Sequence, residues 1–538
     1  MLSYSRGPDS PLFEKTIDEA FLDTVNRLPQ HEALVSLHQN VRLTFLELHR
    51  HVQKTVRGLA GLGLRPGDRV GIWSTNCVEW VLLQLACARY GLVLVNVNPA
   101  YRSHELAFVL RKSRMRALFM DAKNARANYP QILEEACAGQ SLPLQHVIYL
   151  GEDSWNRMMA GGRDVPAAVP SSRDIVNIQY TSGTTGSPKG VLLSHRNILN
   201  NGLLIGRQLK FTERDRICVP VPMYHCFGCV IGTMVALTRG AVMILPAPQF
   251  DALATLEAIA VERATAVYGV PTMFIAELEH PEFSRFDLSS LRTGIMAGAP
   301  CPIEVMRRVV DQMHCREMTI AYGQTESSPV ITMSSLDDPL EMRVSTVGKA
   351  MPQTEVKIVS PHTGQTLPVG EQGELCTRGY LVMNGYDDEP EATRNAIDPE
   401  GWLHTGDLAA MRSDDCFRIT GRAKDMIIRA GENVYPREVE EFLYTHPKIV
   451  EVQVVGLPDI RLGETLCAWI RLKTAETITE DEIREFCRGK IAYFKIPQYI
   501  RFVDSFPTTV TGKVQKYKIR EFEIRELGLE RAAGMETA

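Results

Sequence analysis

Ile175-Val176-Asn177-Ile178-Gln179-Tyr180-Thr181-Ser182-Gly183-Thr184-Thr185-Gly186-Ser187-Pro188-Lys189-Gly190 is the stretch that decides the fold. Residues 175–180 read as a short strand. The residues after them supply glycines, hydroxyls and one lysine. Glycines let a backbone turn tightly and approach a ligand closely. Hydroxyls and backbone N–H groups cradle phosphate oxygens, and Lys189 adds a point charge. A helical pattern then runs over 194–209, with Ser194 placed to cap its first free N–H groups. The loop is not a Walker A motif, because Gly190 stands where that pattern needs Ser or Thr after the lysine.

Moving outward, the same order recurs. Residues 264–268 are β-rich, and Pro271 sits where its fixed φ and missing N–H suit the first turn of a helix. Residues 291–297 and 318–321 read as strands, with a helix over 303–313 opened by Pro302. This alternation predicts an α/β fold of layered, largely parallel sheets, whose ligands lie at the carboxyl ends of strands. Over 355–420 the pattern changes to short strands and frequent turns (355–359, 373–377 and 416–420), a β-rich, barrel-like subdomain. Beyond 421–422 it changes again: a helix over 437–444, strands over 450–455 and 465–472, and a helix over 480–487, a small α+β domain. The expected division is 1–423 and 424–538. No Pro/Ser-rich linker marks it, so a short hinge near Lys424 is expected.

The chain has 538 residues, 45% hydrophobic and 23% charged, with a formal charge of -5 and a pI of about 6.3. At roughly 100–200 residues per domain this allows two to four structural units around a large core. The net charge gives no reason to expect nucleic acid. Twelve cysteines are scattered along the chain, which is not a disulfide scaffold, and a reducing compartment fits best. Cys226 and Cys229 have the spacing of a redox or zinc pair, yet no second ligand pair accompanies them, and core or pocket thiols are the expectation. The longest apolar run, residues 80–88, is far short of the ~20 residues a membrane span needs. Neither end carries a targeting or lipidation signal, so a cytoplasmic protein without a stable membrane span is expected. Monomer and homodimer both remain open.

Four further blocks follow in order. Gly298-Ala299-Pro300 precedes Ala321-Tyr322-Gly323-Gln324-Thr325-Glu326. Gly401-Trp402-Leu403-His404-Thr405-Gly406-Asp407 comes next, then Gly421-Arg422-Ala423-Lys424-Asp425 running on to Arg429-Ala430-Gly431-Glu432. The last is Thr508-Thr509-Val510-Thr511-Gly512-Lys513. With the loop over 181–190, these blocks resemble the signature motifs of the adenylate-forming superfamily over nearly the whole chain, and most closely its medium-chain fatty acyl-CoA synthetases.

The resemblance implies roles for these positions. Thr181, Ser182, Gly183, Thr184, Thr185, Gly186 and Lys189 would hold the β- and γ-phosphates of ATP. Gly298, Ala299 and Pro300 would line the adenine, and Tyr322, flanked by Gly323 and Gln324, would stack on it. Thr325 would contact the α-phosphate, and Glu326 would bind Mg²⁺, which prefers oxygen ligands. Asp407 would grip the ribose diol, and Arg422 the ribose or a phosphate. Lys424 would be the hinge. Arg429, Gly431 and Glu432 would border the coenzyme A tunnel, where Ala430 replaces the glycine common in the family. Lys513 would reach from the small domain to bridge the carboxylate and the α-phosphate. His225, Cys226, Phe227, Val270 and Met273 are the implied walls of the acid pocket. They carry no Lys or Arg to pair a distant carboxylate, so an apolar tail is the natural occupant.

The implied reaction joins a carboxylic acid to AMP with loss of pyrophosphate, then transfers the acyl group to coenzyme A. A fatty acid is the expected substrate. The alternatives are an aryl-acid ligase and a standalone enzyme loading an acyl carrier protein. A P-loop kinase fails on the missing Walker motif, and a non-catalytic nucleotide sensor could dispense with Glu326 and Lys513.

Overall fold

The computed structural model describes residues 1–122, 127–162, 170–181, 188–299, 301–422, 425–429, 432–459, 461–488, 490–509 and 512–530. Two large sheets carry the N-terminal part. In the first, parallel strands Val93–Asn96, Arg69–Trp73, Ala117–Met120 and His146–Tyr149 flank Ile175–Thr181, and two antiparallel strands, Lys189–Ser194 and Gly385–Tyr386, close one edge. The second has nine strands. Its parallel centre includes Glu317–Gly323, Thr293–Ala297, Ala266–Gly269, Arg216–Cys218 and Val242–Leu245. One core runs through both sheets. Strands buried on both faces need near-continuous apolar runs, and Val242–Leu245 and Ala266–Gly269 are buried throughout. The apolar run over 80–88 lies within a helix, Val78–Tyr90, whose residues are nearly all buried. A helix apolar on every side belongs in such a core.

Between the quoted loop and the helix that follows it, the structure inserts a strand that the sequence reading omits. Lys189–Ser194 pairs antiparallel with Ile175–Thr181, Thr181 opposite Lys189 and Tyr180 opposite Gly190. The element is a hairpin feeding a helix. The helix is His195–Gln208, and the Ser194 hydroxyl accepts the Asn197 N–H in a capping box.

A five-stranded antiparallel sheet gathers Thr354–Val359, Gln372–Gly379, Leu403–Met411 and Phe417–Arg422. Its fifth member, Tyr4–Arg6, comes from the far N-terminus. Beyond it, Ile449–Asp459 and Gly463–Leu472 form a long antiparallel pair, with helices Pro436–Leu443, Glu480–Cys487 and Lys516–Glu526 around a core of their own. This C-terminal part rests on the rest of the chain through an Arg471–Glu279 ion pair at 3.6 Å, an Arg418–Glu441 ion pair at 3.0 Å and a hydrogen bond from the Thr272 hydroxyl to the Gly512 carbonyl at 3.1 Å. The position expected for the hinge, Lys424, lies outside the described residues.

Candidate active site

The expected site residues fall at the carboxyl ends of strands from both large sheets. Thr181 closes Ile175–Thr181, Gly298 and Ala299 follow Thr293–Ala297, Val270 follows Ala266–Gly269, and Tyr322 and Gly323 close Glu317–Gly323. Carboxyl ends of parallel strands leave a crevice because the chain turns away there into helices.

Among the residues expected to bind the nucleotide, Tyr322 donates its hydroxyl to Asp407 Oδ2 at 2.8 Å. Asp407 is buried and lies opposite Arg422 in the antiparallel ladder. Thr325 and Glu326 sit in a one-turn 3-10 helix just after Gln324. Glu326 Oε1 accepts the Thr181 hydroxyl at 3.4 Å and the Tyr386 hydroxyl at 3.0 Å. Lys189 Nζ stands 5.0 Å from the centroid of the Tyr386 ring. Tyr386 lies outside every motif quoted above. It is brought in because Gly385–Tyr386 adds to the edge strand Lys189–Ser194. Burial, and then the neighbouring Glu326 carboxylate, raise its phenol pKa and keep it a hydrogen-bond donor. Gly298 has φ +84°, and a Cβ there would stand 3.3 Å from Val270. Gly298, expected beside the adenine, and Val270, expected in the acid-pocket wall, are therefore neighbours.

Of the residues expected to wall the acid pocket, His225 and Cys226 lead into a π-helical segment, Phe227–Gly232, while Val270 and Met273 come from the start of the helix Pro271–Leu278. Such bulges re-aim side chains at functional sites. Cys226, Phe227, Val270 and Met273 are buried, and Phe227 stacks on Tyr268. Cys226 Sγ lies 3.9 Å from Thr325 Oγ1. His225 Nδ1 accepts the Phe227 N–H at 3.1 Å, so the neutral ring carries its proton on Nε2. Burial, reinforced by the nearby Lys513 ammonium, lowers the His225 pKa to about 4. The ring is therefore neutral at neutral pH and adds no charge to the pocket. All twelve cysteines are unpaired thiols.

Lys513 reaches this crevice from the C-terminal part on a tight turn. Thr509 N donates to the Lys513 carbonyl at 2.7 Å, and Lys513 N donates to the Thr509 hydroxyl at 3.1 Å. Gly512 at the tip has φ +76°, and a Cβ on it would meet Val270 Cγ2 at 2.9 Å and Thr272 Oγ1 at 3.0 Å. Thr272 and Gly512 form a docking contact that the motif reading did not single out.

Residues 1–513 include two family matches: AMP-binding enzyme over 21–387 and AMP-binding enzyme C-terminal domain over 438–513. The chain belongs to the AMP-binding enzyme family. It is 46% identical to the putative acyl-CoA synthetase YngI of Bacillus subtilis, over 96% of this chain and 99% of that one. It is 44% identical to the mitochondrial medium-chain acyl-CoA ligase ACSF2 of Rattus norvegicus, over 97% and 89%. Among solved structures, ATP-bound MatB from Rhodopseudomonas palustris superposes with a TM-score of 0.84 at 29% identity, covering 95% of this chain and 99% of that one. Apo MatB, over the same coverage, gives 0.76. The chain is an acid–thiol ligase of the acyl-CoA synthetase kind.

Arg429, expected beside coenzyme A, donates to the Phe494 and Ile496 carbonyls at 2.8 and 3.2 Å. Its partner across the strand pair is Glu432. Ser182, Gly183, Thr184, Thr185, Gly186, Pro300, Lys424 and Gly431 lie outside the described residues, as do the side chains of Arg422 and Glu432.

Proposed function

We propose that the chain activates a medium- or long-chain fatty acid to its acyl-AMP and passes the acyl group to coenzyme A, within lipid metabolism. What supports this reading is that buried Cys226 lies 3.9 Å from Thr325, that Lys513 is near enough to neutral His225 to lower its pKa, and that Gly512 seats against Val270 and Thr272. A carboxylate head fits at Lys513 and an apolar tail at the walls. A second charged end would have no partner among these wall residues.

The chemistry follows from position and charge. A carboxylate is a poor acyl donor, and joining it to AMP creates a good leaving group. The protein's work is to align the acid with the α-phosphate and to offset the charge that develops there. In this reading the loop over 181–190 holds the terminal phosphates, with Lys189 at its end. Tyr322, Gly323 and Gln324, with Gly298, Ala299 and Pro300, frame the adenine. Asp407 and Arg422 hold the ribose, and Thr325 meets the α-phosphate. Lys513 bridges the attacking carboxylate oxygen and the phosphate. Glu326, with the Thr181 and Tyr386 hydroxyls beside it, is an all-oxygen donor set of the kind Mg²⁺ prefers. When bound there, Mg²⁺ supplies charge neutralisation on the phosphate oxygens.

The docked pose, closer to ATP-bound than to apo MatB, suits the adenylation step. The thiol step would follow a swing of residues 424–538 about Lys424. That swing withdraws Lys513 and brings the face carrying Arg429, Gly431 and Glu432 toward the crevice, a gating motion of a familiar kind. Twelve unpaired thiols suit a reducing compartment such as the cytoplasm. No helix among the described residues is long and apolar enough to cross a membrane.

The test is pyrophosphate release with ATP and Mg²⁺ over acids from acetate to palmitate plus benzoate, with and without coenzyme A. Release with medium or long acids, and acyl-CoA as product, is the expected result. Release with benzoate alone would transfer the reading to an aryl-acid ligase. Release without a coenzyme A thioester would point to a carrier protein as the thiol partner.

A further inference from the structure

Away from the crevice, the five-stranded antiparallel sheet brings together a carboxylate, a thiol and an imidazole that the reaction does not use. Glu374 and Cys376 lie on Gln372–Gly379, and His404 lies on the neighbouring Leu403–Met411, directly opposite Cys376. His404 Nδ1 is 2.9 Å from Glu374 Oε2 and 3.4 Å from Cys376 Sγ. One ligand atom from each residue lies within 4.8 Å of the other two. Around a tetrahedral Zn²⁺, with Zn–S of about 2.3 Å and Zn–N or Zn–O of about 2.0 Å, ligand atoms stand roughly 3.3–3.6 Å apart. The Cys376–His404 pair already stands at that spacing, the Glu374–His404 pair needs to open by a few tenths of an ångström, and the Glu374–Cys376 pair lies within 4.8 Å.

The surroundings supply the outer shell such a site needs. The second imidazole nitrogen, His404 Nε2, faces Asp398 Oδ2 at 3.8 Å. Metal-bound histidines commonly offer their other N–H to a carboxylate in this way, which fixes the ring and strengthens the ligand. The second oxygen of Glu374, Oε1, accepts the Gly406 N–H at 2.9 Å and so orients the carboxylate. Cys376 is fully buried, whereas the side chains of Glu374 and His404 are 19% and 32% exposed. The exposed edge gives an ion a way in from solvent, which can supply a water as fourth ligand. Lys357, the cross-strand neighbour of Cys376, holds its ammonium 4.2 Å from the centroid of the Trp402 ring.

We propose that Glu374, Cys376 and His404 bind a borderline-soft divalent cation of the Zn²⁺ class, with Asp398 positioning the imidazole. A thiolate and an imidazole select such an ion over Mg²⁺ or Ca²⁺, which prefer oxygen ligands. On binding, the Cys376 thiol loses its proton to solvent, the neutral imidazole donates from Nδ1 and Glu374 donates as the carboxylate. The ion ties two adjacent strands at a point just before Asp407 on the same strand.

The experiment titrates the chelator-treated full-length protein with Co²⁺ alone, without nucleotide. One equivalent should give a thiolate-to-cobalt charge-transfer band that added Zn²⁺ removes. Cys376→Ser should lose the band and His404→Ala should lose stoichiometric binding, both with native far-UV circular dichroism. Cys137→Ser, altering a thiol remote from the cluster, should keep the band. Asp398→Asn, which retains the local hydrogen-bond acceptor, should weaken Co²⁺ binding about 10- to 100-fold. A native-like protein with no thiolate band would overturn the proposal. So would a band that survives in Cys376→Ser, or unchanged affinity in Asp398→Asn.

Discussion

Gly512→Ala separates the two half-reactions, and its effect can be worked from the docking contact. Gly512 holds φ +76°, a conformation costing an L-residue about 1–2 kcal/mol. That cost falls on the turn whether it is docked or withdrawn, so it does not bias the swing. The new methyl group does, because it would stand 2.9 Å from Val270 Cγ2 and 3.0 Å from Thr272 Oγ1 only when docked. Relief requires Thr272 to rotate away, which breaks its hydrogen bond to the Gly512 carbonyl, about 1 kcal/mol. Residual crowding against Val270 takes the bias to about 1–2 kcal/mol, or roughly a 5- to 30-fold loss in the rate of adenylation. The assay compares acid-dependent ATP–pyrophosphate exchange with thioester formation from supplied acyl-AMP. Exchange should fall by that factor while thioester formation is retained. Thr272→Val, which removes the hydrogen bond and adds no bulk, should lower exchange about 5-fold. Equal loss of both half-reactions in Gly512→Ala would refute the reasoning, since the contact would then not be specific to one pose.

Lys513→Ala removes the cation proposed to bridge the carboxylate and α-phosphate, and should lower adenylation by about 10²–10³ while sparing thioester formation from acyl-AMP, as read by single-turnover product analysis. Tyr322→Phe keeps a flat ring and removes the hydroxyl held by Asp407. A loss of about 1 kcal/mol should raise the KM for ATP about 5-fold, with kcat little changed in steady-state kinetics. Glu277 is fully buried with Oε2 lacking a hydrogen-bond partner, and burial lifts its pKa from 4.5 to about 8. The folded chain therefore retains a proton that the unfolded chain releases, and stability falls as pH rises from about 4.5 to about 8, by about 3 kcal/mol at pH 7. Glu277→Met should raise the thermal midpoint, and by more at pH 8 than at pH 5. An equal gain at both would show that the carboxyl is not held neutral.

What was legible in the sequence was local. The Ser194 cap, Pro271 at the first turn of its helix and the helix Glu480–Cys487 all follow from residues within a few positions of one another. What escaped depends on partners remote in sequence. Tyr4–Arg6 becomes a strand only because Thr354–Val359 accepts it. Tyr386 enters the site only because its strand adds to Lys189–Ser194. The π-helical turn at Phe227 is a hydrogen-bond register that no side-chain periodicity encodes.

The same division runs through the last motif. Its lysine is the residue proposed to carry the chemistry, and a lysine beside a glycine attracts a functional reading from sequence alone. The glycine's role is visible only once Thr272 and Val270 lie against it. There the missing Cβ lets the turn seat closely enough for Lys513 to reach His225. A substitution that leaves the lysine intact should therefore still slow adenylation, because what the motif specifies is a pose as well as a charge.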